Sequence, residues 1–296
     1  MNRQSHPRPP IRLLALLAAF LAAACPPPCA RAARETVDGI AWVYDVEGGK
    51  AVLGACAVPR SAEGTVTVPE RLGGFQVEGI GDYAFYGCSK IEEIVVPKGV
   101  DFIGEHAFED CAELKRVELP DSLRSIGFYS FKDCTALETV KLPRKLKAIG
   151  NYLFYGCTAL REVDFPPGLE TVGWSAFSHC TALESAKLPP HTERVEEGAF
   201  NACHSLREVE LPQSLERIRE NAFCDCKVLE SVVIPSGVEF VGAGAFAGSG
   251  LRRLVVKGKP DDEPYGAWGV PEGCEWLDGN GKPIPWQEEA APQDGK

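Results

Sequence analysis

From residue 80 to residue 257 the chain repeats one arrangement of apolar and polar positions every 23 residues. Phe stands at Phe85, Phe108, Phe131, Phe154, Phe177, Phe200, Phe223 and Phe246. Three positions later comes Cys88, Cys111, Cys134, Cys157, Cys180, Cys203 and Cys226, with Ser249 ending the series. Pro follows at Pro97, Pro120, Pro143, Pro166, Pro189, Pro212 and Pro235. Chance does not hold three registers together over this many steps, so the repeat defines the architecture of this stretch.

Each unit reads A-F-x-x-C-x-x-L-x-x-V-x-L-P-x-x-L-x-x-I-G. The segment L-x-x-V-x-L-P, as in Leu114 to Pro120, predicts a short strand whose last apolar positions alternate as one buried face requires. Proline ends it because it has no N–H for a ladder. The L-x-x-I-G segment, as in Leu123 to Gly127, predicts a second extended piece. The A-F-x-x-C stretch predicts a tight turn or one helical turn. A single unit buries too little apolar surface to offset the entropy of ordering its backbone, so units must stack. The predicted fold is a repeat solenoid of about eight coils, built from short parallel β-strands and turns.

The combination A-F-x-x-C-x-x-L-x-x-V-x-L-P with a 23-residue period resembles the BspA-like family of bacterial leucine-rich repeats over about residues 65–257. The resemblance implies a right-handed solenoid with a parallel sheet on one face. It also implies a place on the cell surface or outside the cell, and roles in adhesion or protein binding.

The solenoid ends need covers, since an open end exposes core and strand edges. Ile40 to Val46 and Lys50 to Leu53 predict two strands around a Glu47-Gly48-Gly49 turn. Thr65 to Pro69 is an incomplete first coil, followed by a five-residue insertion before Ile80. The last coil loses one residue before Leu251 and its Pro becomes Lys257. Trp268, Trp276 and Trp286 then mark a C-terminal cap. The chain therefore divides into a signal peptide (1–32), a β-rich N-terminal cap with an incomplete first coil (33–79), the solenoid (80–257), a C-terminal cap (258–286) and a disordered tail (287–296). In the fifth coil Ala186 and Thr192 replace larger apolar residues, and Pro189-Pro190-His191 is expected to widen the turn.

The first segment carries Arg3, Arg8 and Arg12, then the apolar run Leu13 to Ala24, too short to span a bilayer core of roughly 30 Å as a helix. Ala30-Arg31-Ala32 fits a signal-peptidase site. The alternative is a lipoprotein signal, with Leu21-Ala22-Ala23-Ala24 before Cys25. Without residues 1–32 the chain keeps 27 basic against 42 acidic residues, a net charge near −15. That disfavours nucleic acid and anionic membrane surfaces, both of which need positive charge to displace counterions.

The seven ladder cysteines raise the question of chemistry. Equivalent residues of adjacent coils should lie about 4.7–4.9 Å apart. Parallel side chains keep the Cβ atoms near that distance, whereas disulfides want about 3.5–4.5 Å. A buried ladder of free thiols is the reading. Cys224 falls outside the register, where exposure is expected, and Cys56 and Cys274 belong to opposite caps, too far apart to pair. Cys224-Asp225-Cys226 stands alone and does not make a zinc site. His106, His179 and His204 occupy variable surface positions, and His191 lies in the irregular turn. There is no G-x-S-x-G, H-E-x-x-H or phosphate loop. No catalytic residue, metal or cofactor is assigned.

Function in a solenoid lives on the variable positions. One strand position reads Glu92, Lys115, Glu138, Arg161, Glu184, Arg207, Glu230, Arg252, alternating in sign at every coil. Another reads Glu118, Lys141, Asp164, Lys187, Glu210. Opposite charges would then be neighbours along the stack and help fix coil register. A second set flanks the A-F turn: Tyr83, Tyr86, Phe128, Tyr129, Tyr152, Tyr155 and Trp174, all in the first half of the solenoid. An aromatic strip of this kind suits docking of a protein or glycan at a cell surface. The chain is read as a monomeric, non-enzymatic binding module, with a structural envelope protein lacking a specific ligand as the alternative.

Overall fold

The computed structural model describes residues 32–258 and 265–284. The signal segment, Cys25, Trp286 and the tail expected after residue 286 lie outside the described residues. The described chain is a β-solenoid of about ten turns with almost no helix. One short 3₁₀ turn, Tyr265–Trp268, is its helical element among the described residues.

Each coil places one Phe at its centre. The eight phenylalanines are almost fully buried. Successive rings stack with centroids 5.0–5.7 Å apart. The backbone sets this spacing. The Phe85 N–H donates to Ala107 O, one coil on, at 2.7 Å, and every later Phe does the same at 2.8–3.0 Å. The last of these, Phe246, donates to Trp268 O.

The cysteines serve the same column. The Cys134 thiol donates to Phe108 O at 3.1 Å, and the thiols from Cys111 to Cys226 repeat this contact at 3.1–3.3 Å. The Phe carbonyl also accepts the N–H of the Cys in its own coil, 3.0 Å for Cys88 to Phe85. Cys is thus a small apolar filler that donates a weak hydrogen bond to a buried carbonyl. Burial pushes the thiols up, to about 11 at Cys88 and about 12 at Cys226. All seven are free. At the end of the series the shorter hydroxyl of buried Ser249 finds no hydrogen-bond partner among the described residues.

Proline closes the strand and opens the next corner. Pro143 O accepts the Leu146 N–H at 3.1 Å, and each coil repeats this turn. The fifth coil keeps it as well: Thr192 N–H donates to Pro189 O at 3.0 Å. The Pro189-Pro190-His191 segment therefore does not widen the turn. Buried Thr192 is accommodated because its hydroxyl donates to Leu169 O at 3.2 Å.

The stack carries two parallel ladders, where the resemblance implies one sheet. The first is broken into short pieces, such as Thr139–Lys141 with Glu162–Asp164 and Ser185–Lys187 with Glu208–Glu210. The second is longer and runs through Ala148–Ile149, Thr171–Val172, Arg194–Val195, Arg217–Ile218 and Phe240–Val241. At the N-terminal end Ala33–Val37, Ile40–Glu47 and Lys50–Leu53 form an antiparallel sheet that joins Phe75–Ile80 in parallel. The insertion before Ile80 is a small hairpin, Arg71–Leu72 against Phe75–Ile80. Trp42 covers the Phe column, edge-on to Phe85 at 6.1 Å. At the other end Glu275–Asp278 adds a parallel strand to Arg253–Val256. Cys56 is disulfide-bonded, while Cys274 and Cys224 are free and half-buried, so Cys224 is less exposed than its register suggests.

Two outcomes test this core. Among the cysteines that are free in the described residues, native protein at pH 8 should react quickly with a thiol reagent at Cys224 and Cys274, with the ladder thiols reacting after denaturation; rapid native labelling of Cys157 would contradict the burial. Phe154→Ala should cost about 3–5 kcal/mol in urea unfolding, while Phe128→Ala at the exposed edge should change stability by about 0.5 kcal/mol or less.

Candidate functional site

The coil corner just before each Phe has a backbone requirement of its own. The residue two positions ahead of Phe sits in left-handed conformation in every coil, from Tyr83 (φ 58°), His106 (55°), Tyr129 (60°) and Tyr152 (55°) to Ser175, Gly198, Asn221 and Gly244. A second left-handed residue precedes each Cys, among them Gly87, Asp110, Asp133 and His179. These paired turns fold A-F-x-x-C into a compact corner with no helical turn.

The first four of those residues form one column of rings. Tyr83 stacks on His106 at 4.7 Å, His106 on Tyr129 at 4.7 Å and Tyr129 on Tyr152 at 4.8 Å, all nearly parallel. His106 is therefore not an isolated surface histidine, as its variable position suggests, but the second ring of the column. The signal lies in the numbering: His106 is 23 residues from both Tyr83 and Tyr129.

The other aromatic candidates belong to neighbouring columns. Tyr86 and Tyr155 follow Phe directly and flank the stack, with ring centroids 5.8 Å from Tyr83 and 6.0 Å from Tyr152. Tyr86 and Tyr155 do not meet, since Glu109 and Lys132 fill the same register between them. The Arg60 guanidinium lies 5.6 Å from the Tyr86 ring centre. Phe128 and Trp174 occupy a third column, two coils apart with Asn151 between them, and are 44% and 52% exposed. The Asn151 side chain accepts the Trp174 N–H at 3.0 Å. The seven predicted residues thus form one edge of the solenoid in three adjacent columns.

Charge is organised around this edge. Buried Glu109 accepts from Lys132 Nζ at 2.6 Å and pairs with His106 Nδ1. Lys132 also reaches Asp133 at 3.1 Å. Burial alone would lower the Lys132 pKa, but its bonds to Glu109 and Asp133 outweigh this and raise it, so it stays charged. The Tyr83, Tyr86 and Tyr129 hydroxyls are pushed up, first by burial; nearby carboxylates add to this, Glu109 at all three, with Asp82 and Glu105 at Tyr83 and Asp110 at Tyr86. They remain protonated at neutral pH and can donate hydrogen bonds. Among the described residues no three metal-ligating side chains converge as a metal site would need.

The alternating strand charges meet only in part. Glu92–Lys115 (2.6 Å), Lys187–Glu210 (2.7 Å) and Glu230–Arg252 (3.8 Å) form pairs. Glu138, Arg161, Glu184 and Arg207 form no ion pair among the described residues. Exposed pairs gain little against side-chain entropy, so alternation does not compel contact.

Comparison with known proteins fits this architecture. A family model described as a BspA type leucine-rich repeat region, present in six copies, matches residues 78–206 and 147–260. No curated protein matches the chain. Among solved structures, the chain is similar to a leucine-rich repeat protein of T. pallidum, at 26% identity and TM-score 0.58, covering 81% of this chain and 92% of that one. It is also similar in fold to a leucine-rich repeat protein from Bacteroides ovatus, at 24% identity and TM-score 0.50, covering 82% and 78%. With 23-residue coils, a Phe column and a family match over more than half its length, the chain belongs to the BspA-type leucine-rich repeat family.

Proposed function

We propose that the protein is an exported, non-enzymatic binding module that docks a protein partner on the aromatic edge of its first coils. The observation that carries this reading is the ring column itself. Later coils fill the same left-handed position with Gly198, Asn221 and Gly244, residues suited to it. A ring-bearing residue there costs about 1–2 kcal/mol in backbone strain, and a stacked ring pair returns about 0.5–1.5 kcal/mol. Four such residues cost about 4–8 kcal/mol and their three stacks return about 1.5–4.5 kcal/mol, so the rings add no net stability and a role in recognition accounts for them. Phe128 and Trp174 extend the same edge with large exposed aromatic surface, the residue class that anchors interfaces.

Two features favour protein over glycan. Stacking at 4.7–4.8 Å occupies the ring faces on which a sugar would lie, leaving edges and hydroxyls. The surrounding Asp82, Glu105, Asp110 and Asp133 suit a partner segment carrying Lys or Arg. Export rests on the basic start and the apolar run Leu13 to Ala24.

Tyr129→Asn with Tyr152→Asn copies into two coils the residue already used at Asn221. The double variant should melt within about 4 °C of the wild type and lose a cell-surface protein that the wild type captures by crosslinking. Equal capture by both would remove the edge as the docking surface. The intact mass of the exported protein should correspond to a chain beginning at residue 33, which lacks Cys25 and Cys29 and therefore loses the Cys56 disulfide. A mass that retains either cysteine would overturn cleavage after Ala32, and a lipid-modified Cys25 at the N-terminus would place cleavage before it and anchor the chain.

A further inference from the structure

A second surface lies at the other corner of the coil, after the prolines. There the turns following Pro143, Pro166 and Pro189 enclose a cleft of 460 Å³. Lys145 forms one wall, His191 the other, and Gly168 stands between them in the same register. A Cβ on Gly168 would meet nothing within 4 Å, so the middle coil leaves the floor open. The walls are two coil spacings apart, about 9–10 Å.

The charges in this cleft do not cancel. Glu170 is engaged by Lys147 Nζ at 2.6 Å, and Glu193 lies 3.7 Å from the Arg194 guanidinium. Arg144, Lys145 and His191 make no ion pair or hydrogen bond among the described residues. A chain of net charge −11 thus gathers two free cationic groups, Arg144 and Lys145, at one concave point opposite the His191 ring. In other coils the same two turn positions read Asp121-Ser122, Gln213-Ser214 and Ser236-Gly237, neutral or acidic, and Lys98-Gly99 carries a single cation.

We infer that this cleft binds a single tetrahedral oxyanion, a sulfate or phosphate group, either free or carried on a sugar-sized group. Arg144 offers a planar fork of donors and Lys145 a point charge, the two recurrent partners of such anions. The overall negative charge repels a long polyanion but not one compact group seated between Lys145 and His191.

The test is an NMR and calorimetric titration of the full chain with sodium sulfate, sodium phosphate and a sulfated disaccharide, at constant ionic strength. Saturable binding is expected, with shift changes confined to residues 144–147, 168 and 191. Arg144→Gln with Lys145→Gln should weaken it at least tenfold. Lys98→Gln, in the Arg144 register two coils earlier, should leave it unchanged. Glu170→Gln frees Lys147 and should tighten it severalfold. Tighter binding of the disaccharide than of either salt identifies a sugar-borne group, and equal binding a free anion. Absence of saturation with all three probes, or equal weakening by Lys98→Gln, would overturn the assignment.

Discussion

The hydrogen bond from each Phe N–H to a carbonyl one coil further on governs this molecule. It holds from Phe85 to Phe246 with hardly any variation in length. Because the donor and acceptor recur at fixed positions, a coil cannot gain or lose a residue inside the A-F corner without breaking a buried pair, and a buried unpaired N–H is expensive. The ring column, the thiols bonded to Phe carbonyls and the turns closed on Pro carbonyls all inherit their geometry from that spacing. The single shortening in the last coil falls outside the corner, before Leu251, and Trp268 still arrives in time to accept from Phe246.

A fixed register turns every sequence position into a column. Residues 23 apart become touching neighbours, so the surface consists of vertical strips whose members come from different coils. Thr135, Thr158 and Thr181 show this in small, each hydroxyl donating to a carbonyl one coil back. The ring strip, the Glu109–Lys132 pair and the Lys145–Gly168–His191 cleft obey the same rule. Register brings residues within reach, but contact also requires a gain. Stacked rings and a buried carboxylate provide it. Exposed strand charges such as Glu138 and Arg161 do not, because holding two long side chains in one place costs as much entropy as the pair returns in water.

The periodic residues make the solenoid legible in the amino-acid sequence, since Phe, Cys and Pro each fail visibly when displaced. Less is legible where a residue has to be read against its vertical neighbours. His106 carries no local motif, and its chemistry suggests a surface histidine; only Tyr83 below and Tyr129 above make it a ring in a stack. The thiol-to-carbonyl bond is hidden for a related reason, since it joins Cys134 to Phe108, 26 residues away, between adjacent coils and not within one. Size alone explains a small residue at that place, and the hydrogen bond adds why it is Cys. The N-terminal cap departs from the repeat, so Ala33–Val37 and the Arg71–Leu72 hairpin have no register to announce them.

Stability rests on only some positions of each coil, and this allows sites to be added at the others at little cost. Solenoid stability is a sum over neighbouring coils, carried by the buried Phe, Leu, Val and Cys. The left-handed corner asks only for a backbone conformation, and Asn221 and Gly244 meet it as well as Tyr129 does. The turn after proline asks only for a carbonyl that closes it, and Asp121, Arg144 and Ser236 follow that proline equally well. The two corners are separated by the second ladder, so an acidic aromatic edge and a basic cleft can coexist a few residues apart in sequence without sharing a neighbour. A fold built this way separates what must repeat from what is free to vary, and the free positions cluster by chemistry only where neighbouring coils vary together.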